Sequence, residues 1–179
     1  MEENKNHRDN YLNFFAMIGV SMILMYFLMY LNSYQILEHA RFSETRLFMT
    51  LIMGSVMMVV MLAFMRGMYR NTKANIAIII GAGLLLLSAV WLVRSQVTVR
   101  GIDYMEAMIP HHSIAILTSE RSQIKDPRVR ELADEIIRAQ RREIKEMEWL
   151  IEDIKTNGVA LTQEEADARP VPEFSGELK

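Results

Sequence analysis

Tyr104-Met105-Glu106-Ala107-Met108-Ile109-Pro110-His111-His112 is the stretch on which the reading of this chain turns. It is read as part of one helix, with a membrane anchor before it and a packing helix after it. Helical positions three and four apart share a face. Met105, Met108 and His112 therefore line up at i, i+3 and i+7, with His111 one residue to the side. Two thioethers and an imidazole on one face offer ligands to a soft metal ion.

Upstream, residues 1–11 are polar and read as a cytoplasmic tail. Leu12 to Leu31 is a charge-free run long enough to cross a bilayer. It ends in Asn32-Ser33-Tyr34-Gln35, a poor cleavage site, so it reads as a retained anchor rather than a signal peptide. Two more spans, about 47–65 and 76–93, complete a membrane domain over 12–94. Arg46, Arg66 and Arg94 stand at their ends, where long cationic side chains reach headgroups. Three spans put the termini on opposite sides. Lys5, Arg8, Arg66, Arg70 and Lys73 stand against Arg41, Arg46, Arg94 and Arg100, a narrow margin of five to four. The margin places the N-terminus in the cytoplasm of a bacterial inner membrane and the C-terminal part in the periplasm or its equivalent.

Fifteen methionines are the anomaly of composition. Met49, Met53, Met57, Met61 and Met65 repeat every four residues in the second span, and Met17, Met22, Met25 and Met29 lie in the first. The stripe reads as flexible apolar packing. A relay of thioether ligands for Cu(I) is the alternative. No cysteine is present, so disulfides, thiolate sites and cysteine nucleophiles are excluded. A net charge of −2 with no basic stripe gives no reason to expect nucleic acid. Ser113, Ser119 and Ser122 have no orienting acid–base pair in sequence and read as helix-surface residues. His39, in the loop between the first two spans, reads as a surface histidine, with an extra ligand as the alternative.

Residues 95–100 form a connector. A helical pair over 101–158 follows, with helices at about 102–122 and 127–156. Asp126-Pro127 is a cap followed by a first-turn proline, and Asn157-Gly158 is a stop. Pro110 predicts a kink and a freed Glu106 carbonyl. The seam of the second helix is read as Val129, Ala133, Ile136, Gln140, Glu143 or Ile144, Met147, Leu150 or Ile151, and Ile154. Closing the pair about 123–126 sets Gln140 near the depth of His111, with Glu143 and Met147 facing the Met108 and Met105 levels. A buried Gln140 would need a polar partner; the alternative keeps it wet at the seam's edge. Residues 159–179 read as a flexible tail.

Asp-Tyr-Met-x-x-Met-Ile-Pro-His-His-x-x-Ala-Ile from residue 103, and Asp-Pro-x-Val-x-x-Leu-Ala-x-x-Ile-Ile-x-x-Gln-x-x-Glu-Ile-x-x-Met from residue 126, resemble the domain of unknown function 305 family. The resemblance implies a ferritin-like, all-α fold and, as in some members, extracytoplasmic copper binding without enzymatic turnover. It implies Met105, Met108, His111, His112 and Met147 as metal ligands; Asp103, Gln140 and Glu143 are read from their own positions as candidate neighbours of that site. Cu(I) is the favoured ion. Longer members supply four helices where this chain has two. A lone pair has little core, so homodimerisation to a four-helix bundle is expected. Di-iron sites need several glutamates and Glu-x-x-His pairs, and the residues three before His111 and His112 are Met108 and Ile109. A membrane-tethered helical interaction module without metal is the competing reading.

Overall fold

The computed structural model describes residues 2–178, with side chains from residue 10 onward. Six helices follow in order: α1 Glu2–Leu28, α2 Glu44–Phe64, α3 Thr72–Ser95, α4 Gly101–Arg121, α5 Pro127–Asn157 and α6 Gln163–Asp167. No strand occurs among the described residues. The chain forms two compact units. One joins residues up to 29 with 44–98; the other joins 30–43 with 99 onward.

The first unit holds three helices long and apolar enough to cross a membrane: Asn10–Leu28, Glu44–Phe64 and Thr72–Ser95. Their ends are closed by specific bonds. The Arg46 guanidinium donates to the Met29 carbonyl at 2.9 Å, satisfying a group that α1 leaves open. Asn71 caps α3 by accepting from Ala74 N–H. Gln96 ends α3 in the left-handed region and donates its N–H to the Leu92 carbonyl. Gly54 lets α2 come close to α1, because a Cβ there would overlap the Met22 thioether. Around Phe14, Ile18, Leu62, Tyr69 and Ile78 a buried cluster forms, with Met22, Met57, Met58, Met61 and Met65 packed on it.

The second unit is built on α4 and α5. His112 meets Glu143, Glu106 meets Lys155, and Arg130 reaches the Ser119 carbonyl. As residue numbers rise on one helix they fall on the other, so the two run antiparallel. Burying Met105, Ile109, Ile116, Ile137, Ile144, Met147 and Ile151 in one cluster supplies the cohesion. Each such side chain contributes roughly 1.5–3 kcal/mol on full burial. Asp126 caps α5 through Arg128 N–H, with Pro127 in the first turn, and Gly158 ends it at φ 80°.

Several expectations are corrected by this packing. His112 opposite Glu143 places Arg121, the end of α4, level with about Asp134 on α5. The first turns of α5 therefore project past α4, and Val129, read as seam, is 48% exposed, as is Leu132 at 56%. Ile137 rather than Ile136 is buried. The helix begins at Gly101, just before the expected start, and runs unbroken through buried Pro110. After Gly158 the chain makes the short α6, and its remainder lies along α5. Arg169 pairs with Asp153 at 2.8 Å, Lys145 donates to the Ser175 carbonyl, and Arg141 donates to the Glu177 carbonyl. Gly176 passes so close to the Arg138 carbonyl that no side chain fits there.

The loop between the first two spans belongs to this second unit. Tyr34 packs on the α4–α5 cluster, so part of the core that two helices lack comes from residues 30–43.

Candidate metal centre

Helix α4 buries Met105, Ile109, Pro110, Ser113 and Ile116, and all but Pro110 follow spacings of four, four and three. Met105 lies in the buried cluster, and Met108 packs against it from one side. Across the interface Met147 of α5 enters the same cluster. Three thioethers from two helices thus gather in one apolar core.

His112 lies one to two turns on from Met108 and is largely buried. Its Nδ1 is 3.1 Å from Glu143 Oε2 but is not aligned for a hydrogen bond, and no other partner satisfies it. Burial lowers the His112 pKa below the usual value; the Glu143 carboxylate opposes that shift and His111 adds to it. The ring is therefore neutral at pH 7, the form that binds metals. His111 is exposed, its ring centroid 6.0 Å from that of His112. Adjacent helical residues diverge by about 100°, so the pair cannot share the seam.

Gln140 is half-buried. The level of His112 is taken by Glu143, because the long 122–126 connection lifts the start of α5 beyond α4. Asp103 serves the helix end, accepting from Arg100 N–H at 3.4 Å. The structure thus brings Met105, Met108 and Met147 onto one cluster with His112 and Glu143 paired beside it, and it leaves His111 outside.

These residues suit some ions and not others. Among the described residues no group of three or more His, Asp or Glu side chains is placed to hold a metal. Hard cations, which need several oxygen ligands, have no cage here. The Met105, Met108 and Met147 thioethers of the core and the His112 imidazole, one turn on from Met108, are donors of the kind soft ions take.

Sequence reading missed Ser113 and His39. His39 is a buried residue, 7% exposed, and not the surface histidine expected. Ser113, fully buried, accepts from Tyr34 N–H at 2.7 Å and lies 2.8 Å from His39 Nδ1. Besides accepting from the amide, the hydroxyl can donate to His39 Nδ1 or accept from it, according to the ring's tautomer. Desolvation lowers the His39 pKa, with Glu148 and Glu38 opposing and Arg41 adding to it. Ser113 occupies a seam position of α4, and that small polar residue in an apolar stripe was the available signal. Its partner sits 74 residues earlier, with α2 and α3 between them in the chain. Beside the latch is a cavity of about 320 Å³ lined by Tyr34, His39, Arg141, Lys145 and Glu148 among others.

The family model described as "Domain of unknown function (DUF305)" matches residues 101–173. An uncharacterized protein, L153 of Acanthamoeba polyphaga mimivirus, is 34% identical over 110 residues, 60% of this chain and 70% of the viral protein. No solved structure matches.

Proposed function

The chain belongs to the domain of unknown function 305 family, and on that premise we propose that it is a membrane-anchored copper-binding protein acting in metal sequestration or handover, without chemical turnover. The observation that carries the reading is the buried His112 Nδ1 without a hydrogen-bond partner, on the helix whose Met105 and Met108 share an apolar core with Met147. Thioether and neutral imidazole favour Cu(I). His112 would supply the nitrogen and the three methionines the sulfurs, with the Glu143 carboxylate, 3.1 Å from that nitrogen, offsetting the ion's charge. His111 is a candidate entry ligand from its exposed position.

Topology supports the anchor. Three crossings leave residues 30–43 and 99 onward on the same side of the bilayer, as their membership of one hydrogen-bonded unit requires. The charge balance of the loops puts that side outside the cytoplasm. A second reading, the helical interaction module, draws on the projecting Val129 and Leu132 of α5. A homodimer through that surface is compatible with either reading.

Titration of the full chain in detergent with Cu(I) against a competing chelator tests the proposal. Wild type, His112→Ala, His111→Ala and Met105→Leu/Met147→Leu are compared. The expected result is tight binding, weakened at least tenfold in the His112 and double-methionine variants and less in His111→Ala. Equal binding in all four would refute this ligand set.

A further inference from the structure

The loop between the first two spans has its polarity reversed. Within residues 31–43, the polar Ser33, His39 and Ser43 are buried. The large aliphatic side chains and Phe42 are the exposed ones: Leu31, Ile36 and Phe42 stand out from the surface, and Leu37 is 90% exposed. Tyr34 turns inward, onto the α4–α5 cluster. The inner side of the loop is a polar seam, where Tyr34 N–H and His39 meet Ser113. Facing water, this arrangement is unfavourable on both counts, since apolar area stays wet and polar groups are desolvated. Single exposed leucines are ordinary, but a segment that buries its polar residues and shows its apolar ones points to a non-aqueous surface. The chain itself leads to one. Helix α1 ends at Leu28 and α2 begins at Glu44, and both are long and apolar enough to cross a membrane. Tyr30 Oη donates to the Arg41 carbonyl at 2.6 Å and closes the loop on itself, and backbone bonds from Ser33 N–H to Tyr30 and from His39 N–H to Gln35 shorten it further. A compact loop with its ends joined stays close to those ends.

From this reversal and this continuity we propose that residues 31–42 are a lipid-binding surface of the second unit, with Ile36 and Leu37 inserted at the boundary between headgroups and acyl chains. The inference rests on the membrane-anchor reading above. Two features set the depth. Asn32 and Glu38 are exposed beside Leu31 and Leu37, and a carboxylate is costly to carry into hydrocarbon. Irregular backbone has no place facing the acyl core, where open amides and carbonyls find no water. The contact is therefore shallow, of the kind made by interfacial segments that lie in the plane of the bilayer surface. One side of the loop then meets lipid while the other bonds to Ser113, so the loop fastens α4 to the bilayer surface.

The chain has no cysteine, so one introduced cysteine carries one nitroxide label. The full-length protein is labelled singly at Leu37→Cys, Val60→Cys or Lys125→Cys and reconstituted in vesicles of phosphatidylethanolamine and phosphatidylglycerol. Val60 is exposed on α2 and reports the span; Lys125 is exposed in the 122–126 connection and reports water. Collisions with oxygen, which concentrates in lipid, are compared with collisions with a water-soluble nickel chelate. The oxygen-to-nickel ratio at 37 should fall between those at 60 and 125, and exceed the ratio at 125 by about threefold or more. A ratio at 37 equal to that at 125, with 60 in lipid, would overturn the lipid contact and leave the anchor standing. Nickel access at 60 equal to that at 125 would overturn the anchor, and this inference with it. Protection of 37 from both reagents, with spectral broadening that disappears on dilution into unlabelled protein, would assign the surface to a second copy and overturn the proposal. Should the label at 37 disturb the loop, as read from hydrogen exchange of His39 N–H, Ile36→Cys is labelled in its place and held to the same outcomes.

Discussion

Ser113→Ala isolates the contact that ties the first inter-span loop to the second unit. The substitution removes one oxygen and leaves the backbone and apolar packing of α4 in place. It strands His39 Nδ1, which is buried, and Tyr34 N–H, which is partly buried. A buried polar group left without its partner costs about 1–3 kcal/mol. With the amide at the lower end of that range, the docked state of residues 30–43 should lose about 2–4 kcal/mol. The assay is hydrogen–deuterium exchange of the full chain in detergent. Its reporters are amides bonded within the loop, such as His39 N–H to the Gln35 carbonyl. Where exchange follows local opening, the loss corresponds to about 30- to 700-fold faster exchange there. Amides of α5 away from the loop, around Asp134, should be unaffected. Unchanged protection of the loop amides would refute the claim that Ser113 and His39 form the latch.

Other outcomes follow from the same packing. The lowered His39 pKa means the docked loop favours neutral histidine, so its stabilisation is fully present above about pH 6.5 and lost as pH falls through the folded-state value; loop exchange measured from pH 7.5 to 5 should accelerate on the acid side, and His39→Gln should flatten that dependence. Burial lowers the His112 pKa in the same direction, so copper affinity should hold past the ordinary imidazole value of about 6.5 and weaken as pH falls through the lowered one and protons compete; a chelator titration at several pH values checks this, with pH-independent affinity as the contrary result. Met147→Leu should cost less than about 1.5 kcal/mol of stability yet weaken copper binding, whereas Met147→Ala should cost about 2–5 kcal/mol through the cavity it opens in the α4–α5 cluster; thermal unfolding beside metal titration separates the two. Gly54→Ala should be tolerated within about 1 kcal/mol because the Met22 thioether can swing aside, while Gly54→Leu should cost about 1–3 kcal/mol by forcing α1 and α2 apart; unfolding in detergent measures both.

The sequence alone was enough for what depends on local pattern. Twenty-residue apolar runs, Asp126-Pro127, Asn157-Gly158 and the helical spacing of Met105, Met108 and His112 are properties of neighbours in the chain, and they set the helices to within a few residues except at α1, which begins at Glu2 inside the polar stretch read as a tail. Tertiary structure decided what depends on register and on distant partners. The length of the 122–126 connection shifts α5 past α4, which exposes Val129, buries Ile137 in place of Ile136 and brings Glu143 to His112. The direction of each methionine in the second span, inward at 57, 58, 61 and 65 and outward at 49 and 53, follows from how α2 lies on α1, with Gly54 against Met22 at the closest approach. His39 and Ser113 carried no local sign of one another, because they lie 74 residues apart in the chain and meet only in the folded second unit. Periodicity specifies which face of a helix is apolar; only packing specifies what that face meets.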